Sequence, residues 1–382
     1  MTTKGDRNLF KNFSPKFSNR LLTVLLANAE DDRNISVSPS RLQAVLALLA
    51  NWANPTIQRM ILDTIGSEAV EMSDANVLCN KENMKIVPWD ERWTDSYPTI
   101  EIKTFFWYMH HLVVNSQAVE GVSKYYDVIP RPIDFTQSEA KNFIDKVIDE
   151  STHGLIQEGG ITPQRYTKAL ITDILYFKAM WNNPFSDYST REQLFYGTRG
   201  KTKVPLMQRE CFTDYLETEK CQIAKLLYES ACEGKTFAMR IYLPKKGYTT
   251  LDVLEEVKYS EFFLDWSRKL VRLYLPKFSV ESDINMQRTL EHLGLECIFE
   301  SEDIIPACIK DMQITQISQK VKVNVDEHGT EAAALTEVGM VMGGLPEEMP
   351  EPIMMKVNRP FIFEITEELS NTILFTGVIN NI

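Results

Sequence analysis

Apolar residues recur at two different periods along the chain, and the change of period divides it. From Ser38 onward, Leu42, Val45, Leu46 and Leu49 fall at helical spacing, behind a serine suited to the N-cap and a proline, Pro39, suited to the first turn. Asn54-Pro55 interrupts, and Ile57, Met60, Ile61 and Ile65 resume the stripe as far as Gly66, where a glycine stop is expected. A further helix is predicted between Ser138 and Gly154, with Phe143, Ile144, Val147 and Ile148 as its apolar stripe.

In the second half the period drops to two. Phe237, Met239, Ile241 and Leu243 alternate with other residues, as do Val271, Leu273 and Leu275 and then Val321, Val323 and Val325, the pattern of half-buried strands. Between Phe361 and Val378 lie two further apolar runs, Phe361-Ile362-Phe363 and Ile373-Leu374-Phe375. No Gly/Ser/Pro-rich linker separates the two halves and no repeat is visible, so residues 1–382 read as one interlocked α+β domain.

Composition supports a large core: 44% of residues are hydrophobic and 10% aromatic, with only 16 Gly and 17 Pro among 382, which excludes a wholly disordered or fibrous chain. Asp and Glu outnumber Lys and Arg by 53 to 41 and no basic run occurs. Nucleic-acid, heparin and anionic-membrane roles therefore lack the concentrated positive field they need. No stretch approaches the roughly 20 apolar residues that span a bilayer. Met1 to Phe10 is polar and charged with no apolar signal core, so either the protein is intracellular or a leader has been removed.

Familiar catalytic and metal signatures fail. The six cysteines (79, 211, 221, 232, 297 and 308) include no Cys-x-x-Cys pair, so scattered free thiols are the plain reading and disulfides stay open. Gly197-Thr198-Arg199-Gly200-Lys201-Thr202 ends like a phosphate-binding loop but has two residues between its glycines instead of four, and reads as a polar turn. Gly-x-Ser-x-Gly, His-Glu-x-x-His and Gly-x-Gly-x-x-Gly are absent. Of five histidines only His110 and His111 are neighbours, and on a strand they would point to opposite faces. No metal site and no cofactor is expected.

After Val325 comes a turn signal, Asp326-Glu327-His328-Gly329, and then a segment with two unlike faces. Thr330, Ala332, Ala334, Thr336, Val338, Met340 and Met342 are small or apolar, while Glu331 and Glu337 fall on the other side. Ala and Glu are poor strand formers, so this is odd as an ordinary strand, but small residues let a segment slide between strands already in place. Pro346, Pro350 and Pro352 end the pattern. A short helix over residues 331–337 followed by a solvated loop is the alternative at this point.

Here the chain resembles the serpin family, over nearly its whole length. The resemblance rests on Glu327-x-Gly329-Thr330-Glu331-Ala332-Ala333-Ala334-x-Thr336, Asn34-Ile35-Ser36-Val37-Ser38-Pro39-Ser40 and Phe177-Lys178-Ala179-Met180-Trp181-Asn182-Asn183-Pro184-Phe185. Lys203-Val204-Pro205-Leu206-Met207, Leu275-Pro276-Lys277-Phe278, Asn358-Arg359-Pro360-Phe361 and Leu374-Phe375-Thr376-Gly377 continue it in order. The resemblance implies three sheets with eight or nine helices and a bait loop, about residues 327–357, held outside a metastable large sheet. A protease cleaves the loop, forms an acyl-enzyme, and is trapped when the freed strand inserts. It also implies a monomer, a target protease as partner, and a secreted or cell-surface setting.

Site residues follow by resemblance. The hinge is Glu327, Gly329, Thr330, Glu331, Ala332, Ala333, Ala334 and Thr336; Trp181, Lys277 and Glu327 meet where the loop leaves its strand, the breach. Counting from the hinge sets the scissile bond within Met340 to Leu345, with cleavage expected after Met342 or after Gly343, the latter bond being Gly343–Gly344, whereas counting from the other end points near Met349. No Lys or Arg lies between Lys322 and Lys356, so elastase-, chymotrypsin- or subtilisin-like enzymes fit and trypsin-like ones do not. Serine proteases are the expected class, cysteine proteases a second.

Departures from the family are informative. Leu335 stands where alanine is usual, and Asp145 and Lys146 replace a usual Asn and Trp. Where the large sheet parts, the shutter, serpins commonly bury a second Ser, an Asn and a His; this chain keeps Ser38 but has Arg41, Asp173 and Gln319. The expectation is an Arg41–Asp173 salt bridge tied to Gln319 or Ser38, the alternative an Arg41 turned outward. A non-inhibitory carrier or chaperone is the competing function; such members tend to carry bulky or charged residues on the inserting face.

Overall fold

Fifteen strands and nine helices form over the described residues of the computed structural model, which are 4–29, 32–66, 71–80, 98–151, 154, 163, 166–229, 235–259, 266–301, 304–310, 312–330 and 350–382. The helices are α1 (Lys4–Asn28), α2 (Pro39–Trp52), α3 (Pro55–Ile65), α4 (Met72–Leu78), α5 (Ser116–Ser123), α6 (Ala140–Ser151), α7 (Thr250–Tyr259), α8 (Gln287–His292) and α9 (Cys297–Glu300). Proline opens both α2 and α3, and the Asn54 side chain caps α3 by accepting from the Ile57 amide. Ser38 holds the N-cap position of α2 without a capping bond, and Gly66 ends α3 in extended rather than left-handed backbone. Both differ from the expected roles; the Gly66 amide still donates to the Leu62 carbonyl, so α3 closes without a left-handed residue.

α2 is buried on nearly every side, so its one-stripe reading understates its position. On α6, Ile144 and Ile148 are buried and Val147 half-buried, but Phe143 is 49% exposed, its ring edge-on to Trp107. The expected stripe is therefore narrower than four residues. The reason is the shallow seat of α6, which covers only a small satellite core of Phe105, Trp107, Leu170 and Ile174.

One sheet has six strands in the order β10 (Phe278–Asn285), β11 (Gln316–Val325), β12 (Gly329–Thr330), β4 (Ala169–Met180), β2 (Thr99–Met109), β3 (Val128–Ile133). The second has nine: β1 (Ile35–Val37), β15 (Thr372–Ile379), β14 (Phe361–Glu367), β8 (Phe237–Pro244), β7 (Cys221–Leu227), β6 (Gly200–Glu217), β9 (Ser267–Pro276) and β13 (Ile353–Lys356), with β5 (Arg191–Gly197) also on β6. Two of the three sheets implied by the resemblance are thus joined. β6 causes this: its 18 residues pair with β5 at one end, β9 along the middle and β7 at the other end.

The odd residues of β8 enter the core between the sheets, as the alternation indicates. Its even face is also covered, Tyr242 by Leu22 of α1 and Val253, Leu254 and Val257 of α7, so the strand is buried on both sides rather than half-buried. Residues 197–202 form a hairpin turn, with Gly197 opposite Gly200. His110 and His111 follow the end of β2, both exposed with rings edge-on at 5.5 Å; their opposite-face reading fails because the strand stops at Met109. Cys79, Cys211, Cys221, Cys297 and Cys308 are free thiols, and Cys232 lies outside the described residues.

Candidate functional site

Directly after β11, at Asp326, the chain makes a turn fixed by hydrogen bonds and an ion pair. Asp326 Oδ1 accepts from the amides of His328 (2.8 Å) and Gly329 (3.1 Å), and the Asp326 amide donates to the Gly329 carbonyl. Glu327 turns inward, its side chain 4% exposed: Oε2 lies 2.5 Å from Lys277 Nζ and Oε1 accepts from Thr190 Oγ1 at 2.7 Å. Burial pushes the Glu327 carboxyl up, but the bonds from Lys277 and Thr190 outweigh it and leave the group below its usual 4.5.

Trp181, at the end of β4, holds the same turn from below. Its amide donates to the His328 carbonyl (2.8 Å) and its indole Nε1 to the Asp326 carbonyl (3.0 Å). The ring stacks on Tyr228 with centroids 4.4 Å apart and planes 12° off parallel. Trp181, Lys277 and Glu327 are therefore brought together, with Tyr228, Thr190 and Asp326 added. Nothing in the sequence pairs Tyr228 or Thr190 with residues more than a hundred positions away.

The next two residues have already entered the sheet. Gly329 and Thr330 form β12, placed between β11 and β4, with Thr330 opposite both Val325 and Ala179. A Cβ on Gly329 would strike the Ala179 carbonyl oxygen and the Met180 Cα, so only glycine fits this register. Thr330 is buried and shares a 2.6 Å hydrogen bond with the Tyr228 hydroxyl. Further down, β11 and β4 pair directly and in parallel from Gln316/Leu170 to Lys320/Ile174.

On that direct ladder sits a polar row. Thr104 of β2, Asp173 of β4 and Gln319 of β11 are neighbours in register. The row below, Phe106, Ile171 and Ile317, belongs to the helical core; Ile102, Leu175 and Val321 above belong to the core between the sheets. Arg41, on the first turn of α2, reaches this row from beneath: Nη2 lies 2.6 Å from Asp173 Oδ1, Nε 3.2 Å from Oδ2, and Nη2 also donates to Thr104 Oγ1 at 2.8 Å. Thr104 in turn donates to Asp173 at 2.9 Å. Both charged side chains are at most 4% exposed.

Gln319 takes a different partner. Its amide grips the Ser38 backbone in both directions, Oε1 accepting from the Ser38 amide (2.6 Å) and Nε2 donating to its carbonyl (2.9 Å). The Ser38 hydroxyl is 3.5 Å from that of Ser40. Among the described residues the Arg41–Asp173 pair bonds to Thr104, which the sequence did not single out, and not to Gln319 or Ser38, contrary to the expected link. Thr104 interrupts the alternation Ile100, Ile102, Phe106, and that break was its signal.

Glu331, Ala332, Ala333, Ala334, Thr336 and the stretch Met340 to Leu345, with Met342, Gly343 and Gly344, lie outside the described residues. Among the described residues no group of three or more His, Cys, Asp or Glu is arranged to hold a metal, and no helix is long and apolar enough to cross a membrane.

The family model described as serpin, serine protease inhibitor, matches residues 14–382. Plasminogen activator inhibitor 1 of Neovison vison is 27% identical over 92% of this chain and 88% of its own length. A highly specific serpin of the insect Tenebrio molitor superposes with a TM-score of 0.83 at 21% identity, covering 100% of this chain and 99% of that one. Human thyroxine-binding globulin, solved with its hormone, superposes at 0.82 with 21% identity, covering 98% and 99%.

Proposed function

The chain belongs to the serpin family of serine protease inhibitors, and from that premise we propose that it is an irreversible suicide-substrate inhibitor of serine proteases with apolar specificity. It acts as a substrate that stalls its enzyme and not as a catalyst. The target's serine attacks the carbonyl of Met342 or Gly343, the peptide bond breaks, and the downstream fragment departs as a new amine. The upstream residue stays esterified to the protease. The freed hinge then fills the seam between β11 and β4 before water can hydrolyse the ester.

The observation that carries this reading is β12. The chain runs from β11 through a fixed turn into a two-residue strand lodged between β11 and β4, which supports insertion of the following segment along the same line. The inserting face from Thr330 through Ala332, Ala334 and Thr336 is small and uncharged, which favours entry over exclusion. The setting consistent with this role is outside the cell, and the partner is an elastase-, chymotrypsin- or subtilisin-like enzyme.

Incubation with an elastase-like enzyme, followed by denaturing electrophoresis, tests the proposal. A denaturant-resistant band at the summed mass is expected, with a small peptide starting at Gly343 or Gly344. Cleaved protein without the complex would favour the competing carrier or chaperone role.

A further inference from the structure

Tyr228 has no part in the expected site, yet among the described residues its side chain bonds the hinge residue Thr330 where it enters the sheet. Its ring is fixed on two sides, stacked on Trp181 at 4.4 Å and edge-on to Phe177 at 5.3 Å. Its backbone forms an isolated bridge to Trp181 and donates to Phe237, so the residue joins the end of β4 to the nine-stranded sheet. The hydroxyl is left to meet Thr330 Oγ1 at 2.6 Å, and both residues are at most 2% exposed.

We propose that Tyr228 is a positioning residue that clasps Thr330 and keeps the first rung of loop insertion made in the intact protein, before any protease arrives. The effect on inhibition rests on the function proposed above; the clasp itself does not. Two buried hydroxyls satisfy one another, and removing either leaves the other without a partner in the described structure. For Thr330 that penalty has an easy relief, because it sits at the end of the two-residue strand β12 and can return to water by leaving the sheet. For Tyr228 no such exit exists, since Trp181 and Phe177 hold the ring. Burial also raises the Tyr228 hydroxyl well above its ordinary pKa of 10, so it stays protonated. Loss of the bond should therefore appear as departure of the hinge and not as general unfolding.

Tyr228→Phe keeps the ring stack and Thr330→Val keeps the hinge side chain's shape, so each removes the same bond from a different side. Hydrogen exchange of the full-length protein, followed on peptides covering residues 326–330, should rise about two- to tenfold in each variant, the range set by one buried hydrogen bond. The double variant should rise no further than either single one, because the two changes share one interaction. Where the wild type inhibits, the Tyr228→Phe stoichiometry of inhibition should rise as insertion loses its head start. Unchanged exchange in either single variant, or multiplicative effects in the double, would overturn the clasp. A wild type that inhibits no protease would defeat the proposed function alone and leave the exchange result to decide this one.

Discussion

At the scale of single residues, the two acid groups of the site stand in opposite settings and should fail differently. Asp173 and Arg41 are fully buried as a bidentate pair, and taking one charge from such a pair leaves the other desolvated and uncompensated. Asp173→Asn should therefore cost about 3–5 kcal/mol by denaturant titration, whereas Thr104→Val should cost about 1–3 kcal/mol because one hydroxyl is lost from a pair that remains intact. Glu327 is paired with a Lys277 that is 40% exposed, so its contribution is closer to that of a surface pair. Its lowered carboxyl contributes stability that is complete above the unfolded value of about 4.5 and is lost as pH falls through its lower folded value. Acid should therefore loosen the hinge only below about pH 4.5, and Glu327→Lys should reproduce that at neutral pH. Native electrophoresis after mild heating should show more polymer in both cases; equal polymer yields with wild type would refute the role.

At the scale of elements, the periodicities were readable and the crossings were not. The strand pattern of residues 321–325 and 237–243 is directly visible, since alternation encodes which face meets the core. That β8 is also covered on its second face depends on α1 and α7 docking from over two hundred and about ten positions away, which alternation cannot record. The Arg41–Asp173 pairing was legible because two charged residues stand together where a family resemblance leads one to expect polar neutral ones. Thr104 and Tyr228 were not, since a lone polar residue in an apolar strand has many explanations until its register is known. β12 carries the prediction at this scale. Gly329→Ala should be unable to keep its register against Ala179, expelling the strand and exposing the 326–330 turn. Trp181 fluorescence should change and limited proteolysis near Thr330 should increase; an unaltered spectrum would show that β4 yields instead.

The whole molecule poses one mechanical question: which strand moves when the seam between β4 and β11 admits a third? Inserting a strand doubles their spacing from about 4.8 Å to about 9.6 Å. Both strands are hooked to the start of α2, β4 through Asp173 to Arg41 and β11 through Gln319 to the Ser38 backbone. A shift of that size exceeds the reach of any hydrogen bond, so at least one hook must open. The β4 hook is charge-assisted, double and supported by Thr104, whereas the β11 hook is two neutral amide bonds. β11, with β10 beside it, should therefore part from α2 while β4 stays. Gln319→Ala removes the hook that has to yield, so it should speed insertion, seen as a lower stoichiometry of inhibition with an elastase-like enzyme, and should also increase polymer on heating. Hydrogen exchange in the cleaved protein should lose protection at the Ser38 amide, whose acceptor is Gln319 Oε1. Slower insertion in Gln319→Ala, or kept protection at the Ser38 amide, would place the moving part on the β4 side.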